Sequence, residues 1–225
     1  MSKQWTTLYK YVSMRRVVDI LKDQRLYLSD GTDLNDPFEI TVTDKATNTI
    51  EHIKGLHILS LTNSYRNKLI WSHYTDSHKG VCLTIKVPND LVYPICYSSR
   101  RIYKNYEDSE INDIIASSKK SQKTSVEKDF TLLNKNKKIA YIKDIKWIYE
   151  KEYRIVFDEE DEPGLINEDG KWFLPVKISN IYLGVNFEKN GEKLKKDILD
   201  VCKLNKIKVA QMVLSNSNYS VKVKR

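Results

Sequence analysis

The residues with the most chemistry in this chain fall into short runs. One is Trp71-Ser72-His73-Tyr74-Thr75-Asp76-Ser77-His78-Lys79-Gly80, which holds two of the four histidines and leads into an apolar stretch at 81–87. Polar and aromatic side chains packed this densely are costly to bury without partners, so the run reads as part of a site. Trp71 and Tyr74 are three apart and share a helical face, where they could stack on a flat ring or pack into the core. His73 lies off that face and could bond a phosphate or a sugar hydroxyl, or be a satisfied structural histidine. His73 and His78 are five apart, which is the wrong spacing for two metal ligands on one helix, so no metal is expected.

A second run is Glu150-Lys151-Glu152-Tyr153-Arg154. Strand side chains alternate with period two, so Glu150, Glu152 and Arg154 are expected on one face. Such a row can bind and orient a polar ligand, with Arg154 pairing with a phosphate or with either glutamate. It can also be an ion-pair ladder on an edge strand. A third run, Asn35-Asp36-Pro37-Phe38-Glu39, is a turn of set shape, because Pro37 drives Asp36 out of the α region. Asn35 is expected to bond the backbone there, while Asp36 and Glu39 could hold a ligand. Lys10 is the phosphate contact expected from the first strand, or else a pairing partner for Glu39 or Glu152.

These runs need elements to position them. Residues 7–11 read as a first strand, followed by a helix that Ser13 caps and whose apolar spacing runs through Val17, Val18, Ile20 and Leu21. Strands are expected at 26–28, 57–61, 81–87, 152–157, 172–176, 180–184 and 208–214. Helices are expected over 63–76 and 188–204. Residues 107–140 read as an exposed, lysine-rich helical insertion, and the acidic stretch 158–164 as a hairpin-like turn. The pattern predicts one α+β domain over 1–225, with a mixed, largely antiparallel sheet, continuous or split, flanked by helices.

Composition bounds the function classes. The chain has 225 residues, 40% hydrophobic and 30% charged, which is globular rather than disordered. Three widely spaced cysteines form no Cys-x-x-Cys pair, which argues against a zinc ribbon or redox motif; Cys82, within an apolar strand, reads as a small buried hydrophobe. With no apolar signal core and no membrane-length apolar run, a reduced cytoplasmic setting without membrane contact is expected. The formal charge of +8 places a lysine-rich excess at 119–138 and in the C-terminal third. That excess is either a solvated surface or a contact for nucleic acid.

Three islands carry a family resemblance: Leu8-Tyr9-Lys10-Tyr11 with Leu34-Asn35-Asp36-Pro37-Phe38-Glu39, Trp71-Ser72-His73-Tyr74 with His78-Lys79-Gly80, and Trp147-Ile148-Tyr149-Glu150-Lys151-Glu152-Tyr153-Arg154. In identity and order they resemble the bacterial and phage family known as domain of unknown function 2971. The opening strand and helix, with the later Glu-x-Glu at a strand start, are also similar to ADP-ribosyltransferase domains. That second resemblance implies an ADP-ribosyltransferase-like fold and an NAD-consuming enzyme, a toxin or anti-phage effector that modifies nucleic acid or protein. It implies Glu152 as the carboxylate that stabilises the oxocarbenium-like ribose, with Glu150 orienting or deprotonating the acceptor. Lys10, Tyr11, Trp71, His73, Tyr74 and Arg154 would line the NAD pocket. The alternative is a non-catalytic module of the same fold that binds nucleic acid or a nucleotide.

Overall fold

A computed structural model describes residues 4–122, 128–158, 161 and 164–224. The chain folds into two compact units that interleave along the sequence. The first comprises Met1–Leu26, Leu61–Asp90 and Phe173–Arg225, and the second Tyr27–Ser60 and Leu91–Trp172. Strand pairing is mixed and mostly antiparallel, with several helices, as the α+β reading expects. Among the described residues no helix is long and apolar enough to cross a membrane.

The first unit is built on a hairpin-like pair of eight-residue strands, Trp5–Val12 and Val81–Pro88, in antiparallel register from Trp5↔Pro88 to Val12↔Val81. Ile178–Leu183 adds antiparallel to Val81–Pro88, and Lys208–Leu214 adds parallel to Ile178–Leu183 after the helix Glu192–Leu204. A parallel neighbour needs such a crossover, which explains the one long helix at this point. Alternation divides the sheet's residues. Tyr9, Tyr11, Cys82 and Tyr182 gather with Ile70 and Trp71 of the helix Lys68–Tyr74. The opposite row, Leu8, Leu83, Ile85 and Ile181, is equally buried, so both faces are covered. Helices Met14–Asp23 and Glu192–Leu204 pack together and bury Val17, Leu21, Ile198 and Cys202.

Two helix starts differ from expectation. Ser13 stands at the N-cap position of Met14–Asp23, but its side chain makes no cap bond. The helix expected over 63–76 begins only at Lys68, because the Asn67 side chain accepts from the backbone N–H groups of Leu69 and Ile70 and sets the start there.

In the second unit, Glu152–Asp158 pairs antiparallel with Tyr93–Pro94 and neighbours the strand Leu56–Thr62. A hairpin of Thr41–Asp44 and Thr49–His52, which the sequence reading missed, and a short parallel pair of Cys96–Ser98 with Ile142–Asp144 complete its strands near the site. Residues 107–140 are not simply an exposed insertion. The helix Asp108–Gln122 buries Ile111, Ile114 and Ile115 at helical spacing, with Phe130, Ile139 and Tyr141 in the same core. Its polar, lysine-rich composition masked a narrow apolar stripe. Of the expected acidic turn, residues 159, 160, 162 and 163 lie outside the described residues.

Candidate functional site

The second unit holds a buried cluster of five charged side chains: Glu39, Lys143, Glu150, Glu152 and Arg154, each at most 5% exposed. Arg154 Nε donates to Glu152 Oε1 at 2.6 Å and its Nη2 to Glu152 Oε2 at 3.2 Å. Its Nη1 donates to the Ala140 carbonyl at 2.7 Å, and Nη2 also pairs with Glu39 Oε2. Lys143 Nζ bonds Glu150 at 2.7 Å and Glu152 at 2.9 Å, and lies 3.1 Å from Glu39 Oε1. Burial acts to raise the Glu152 pKa, but Arg154 and Lys143 outweigh it and hold this carboxyl down at about 2. Burial likewise acts to lower Lys143 and Arg154, and the carboxylates, Glu152 foremost, hold both above their ordinary values.

The local backbone explains how these groups meet. Glu150 and Glu152 do not occupy one strand face as expected. Glu150 ends a 3₁₀ helix, Ile145–Glu150, and Lys151 is left-handed at φ 46°, so the strand begins only at Glu152. The reversal at Lys151 turns both glutamates onto Lys143. On the other side, Asp36 makes a side-chain-to-backbone bond: its Oδ1 accepts from Phe38 N at 2.9 Å. Trp147 Nε1 donates to Asp36 Oδ2 at 2.7 Å, tying this turn to the 3₁₀ helix. Ile40, fully buried, has φ 54°. A β-branched residue rarely adopts that conformation, and it costs about 1–3 kcal/mol. Ile40 ends the turn that precedes the strand Thr41–Asp44, and Glu39, Ile40 and Thr41 are buried in succession.

Beside the cluster lies a cavity of about 250 Å³ whose wall includes Glu39, Thr41, Ser99, Arg100, Arg101 and Lys143. Glu39 Oε1 is buried and, although near Lys143, accepts no hydrogen bond of good geometry among the described residues. Arg101 bonds only neutral oxygens: Thr43 Oγ1 at 2.9 Å, Thr41 Oγ1 at 2.7 Å and the Phe38 carbonyl at 3.3 Å. No carboxylate reaches ion-pair distance of it among the described residues, and two of its five N–H groups stay available. Burial lowers its pKa, with Asp36 partly opposing. Lys143 and Arg101 were not singled out in the sequence. Lys143 left one signal, a lone charge closing the apolar run Ile139-Ala140-Tyr141-Ile142.

The other expected site residues belong to the first unit, and most of them are held there by packing. Trp71 is fully buried, and its Nε1 donates to the Tyr65 carbonyl at 2.8 Å. Tyr11 is buried edge-on to Trp71, and its hydroxyl donates to the Ser64 carbonyl at 2.9 Å. Tyr74 packs on the same cluster, Lys10 is half-buried, and His73 is exposed. The residues after Tyr74 form a tight loop in which Asp76, Ser77 and His78 are all left-handed. Gly80 and Gly184 pack against it so closely that a Cβ at Gly184 would fall inside the His78 carbonyl. The glycine ending the Trp71 run is therefore a steric requirement of this loop. Cys82 is a buried free thiol, as the apolar strand suggested.

Several lysines of 119–138 are engaged within the second unit. Lys137 pairs with Asp158 and Asp161 at 3.1 and 2.6 Å, and Lys138 with Asp108 at 2.5 Å. Lys119 donates to the Lys128 carbonyl at 2.6 Å. Residues 123–127 of this stretch lie outside the described residues. Two of these lysines are therefore held in local ion pairs. No curated protein and no solved structure matches this chain. Residues 70–155, which span the Trp71 run and the Glu-x-Glu-x-Arg run, match the model of a family described as protein of unknown function (DUF2971).

Proposed function

We propose that the second unit binds the sugar-phosphate part of a nucleotide in the cavity beside the charged cluster, and that the nucleotide is NAD, consumed in an ADP-ribosyl transfer. The observation that carries this reading is the pairing, in one cavity, of a guanidinium without a carboxylate partner and a buried carboxylate oxygen without a hydrogen bond. Arg101, with Arg100 and Ser99 beside it, suits a phosphate. Glu39 Oε1 suits a ribose hydroxyl. At about 250 Å³ the cavity is smaller than the ~300–1,000 Å³ of drug-sized sites, so it would enclose one sugar-phosphate rather than a whole dinucleotide.

The resemblance to ADP-ribosyltransferase domains named Glu152 as the catalytic carboxylate. Both Glu152 oxygens are held by Arg154 and Lys143, so in this proposal Glu152 is a positioning residue. Glu39 is the carboxylate that would face a developing oxocarbenium ion, where a fixed negative charge in a dry site is most effective. Calorimetric titration with ribose 5-phosphate, AMP, ADP-ribose and NAD tests the binding. Nicotinamide release, with and without DNA, RNA and lysate, tests the reaction. Saturable binding that Arg101→Ala weakens at least tenfold is expected. Binding without nicotinamide release would leave a nucleotide-binding module, and no binding of any of the four would remove the proposal.

A further inference from the structure

The two units divide the charge unequally. The first carries 21 Lys and Arg against 8 Asp and Glu, a formal +13, while the second carries 17 against 22, a formal −5. The chain's basic excess therefore belongs wholly to the first unit. Of its Lys and Arg, 11 of 21 lie in the C-terminal segment Phe173–Arg225, within the third of the chain that the sequence marked as lysine-rich, and the rest are spread over the two earlier segments. Exposed Lys79, Lys86, Lys193, Lys196, Lys203 and Lys206 pair with no carboxylate among the described residues. So dense an unneutralised charge repels itself and favours a polyanionic partner.

On this unit, two exposed cations lie over tyrosine rings. Tyr65 and Tyr182 stack with ring centroids 4.1 Å apart and planes 1° from parallel, and Tyr9 leans on both. The exposed Arg66 guanidinium lies 5.0 Å from the Tyr65 ring centre. Lys68 Nζ lies 5.8 Å from the ring of Tyr219, which is 94% exposed. At an exposed site a cation over a ring contributes only weakly to the fold. A ligand that presents both flat rings and phosphates uses each group.

We infer that Tyr65, Arg66, Lys68 and Tyr219 bind single-stranded nucleic acid, with phosphates on the two cations and a base on the Tyr219 ring. Base–aromatic stacking requires unpaired bases, which selects single strands over duplex. A membrane surface would instead call for a broad apolar face, and Leu69 is the one large aliphatic exposed on the seven-residue helix Lys68–Tyr74. The inference is independent of the nucleotide proposal, since it concerns a different unit and different residues.

The test is fluorescence anisotropy of the full chain with labelled oligo(dT) and oligo(U) of about 20 nucleotides, longer than a ~4–16-nucleotide footprint. The same measurement is made with a duplex of equal length and, by co-sedimentation, with phosphatidylserine vesicles. Single strands should bind, with affinity falling steeply between about 50 and 200 mM salt. Tyr219→Ala should weaken binding about 5- to 150-fold, the usual cost of one lost stacking base. Arg66→Ala with Lys68→Ala should lower the salt slope by about 1.4, two phosphate contacts at ~0.7 each. Lys193→Ala with Lys196→Ala, which removes equal charge elsewhere on the unit, should leave the Tyr219 contribution intact. All variants are surface changes, and thermal melting checks that each is folded. The inference fails if single strands do not bind at 50 mM salt, or if duplex binds as tightly. It also fails if the Lys193/Lys196 variant loses as much as the Arg66/Lys68 variant, or if only vesicles bind.

Discussion

Glu152→Gln separates the two roles open to this glutamate. The substitution keeps the shape and removes one of three buried carboxylates, while Lys143 and Arg154 remain. Glu152 accepts at 2.6 and 3.2 Å from Arg154 and at 2.9 Å from Lys143. Breaking a buried ion pair from one side costs about 3–5 kcal/mol. A second route reaches a similar figure. The carboxyl is held at about 2 against an ordinary 4.5, which at ~1.4 kcal/mol per unit is on the order of 3 kcal/mol. One effect opposes the loss. Three carboxylates against two cations leave a surplus negative charge, which the amide removes, so the lower end of the range is expected. With a urea dependence of about 2–3 kcal/mol per molar, the unfolding midpoint should fall by roughly 1–1.5 M. Circular dichroism follows the unfolding, and ligand binding is measured per folded molecule in the same samples. A positioning Glu152 gives a less stable protein whose folded fraction still binds ribose 5-phosphate. If the variant stayed within about 1 kcal/mol of the parent and lost binding or turnover outright, Glu152 would face the ligand and the role given to Glu39 would be wrong.

Three further outcomes are expected. Because the Glu152 pKa is lower folded than unfolded, the unfolded chain takes up more protons in acid; its stabilisation is complete above about pH 4.5 and is lost as pH falls towards about 2, so acid titration of Glu152→Gln should give a flatter stability curve than the parent. Lys151→Gly should raise stability by up to about 1 kcal/mol in a thermal melt without changing ligand affinity, since glycine adopts the φ 46° conformation freely and the exposed lysine side chain is absent from the cluster's contacts. Gly184→Ala should cost more than about 2 kcal/mol, because the new methyl group would meet backbone that cannot rotate away, whereas Gly191→Ala, with open space around it, should cost less than about 1 kcal/mol.

Period-two and helical patterning located the helices and the longer strands, since an apolar strand such as Val81–Pro88 and an amphipathic helix such as Glu192–Leu204 impose their period on the local sequence. The groups that converge on the cluster were half visible: Glu39, Glu150, Glu152 and Arg154 could be named, but their geometry could not. The reasoning that set Glu150 and Glu152 on one strand face assumed regular backbone through Lys151, and a single left-handed residue is invisible to periodicity. The same is true of Ile40, whose residue type argues against the conformation it holds. Lys143 was missed because a lone lysine after apolar residues looks like a strand end. The basic excess was assigned to 119–138 and to the C-terminal third; the second place agrees with the first unit's charge, whereas a linear reading of 119–138 could not see that Lys137 and Lys138 answer acids at 108, 158 and 161.

The second unit concentrates two costly features in one place. Five buried charges with unequal signs are less favourable than well-packed apolar residues of the same volume, which often hold a fold together as well or better. The left-handed Ile40 adds about 1–3 kcal/mol of strain next to them. Neither feature is required by the core around it, where Ile58, Ile95, Tyr141 and Val156 pack without such constraints. Both act on Glu39. Arg154 fixes one of its oxygens, Lys143 stands 3.1 Å from the other, and the reversal at Ile40 sets the backbone that carries it. The result is a carboxylate held rigidly beside the cavity, with one buried oxygen that accepts no hydrogen bond among the described residues. A binding group gains from being fixed in advance, because ordering it when the ligand arrives would weaken the complex. That is the physical reason to expect the ligand at Glu39 and Arg101, and to expect Glu39→Gln to lose more affinity for ribose 5-phosphate than for inorganic phosphate. Equal losses for the two ligands would mean that Glu39 touches no sugar hydroxyl.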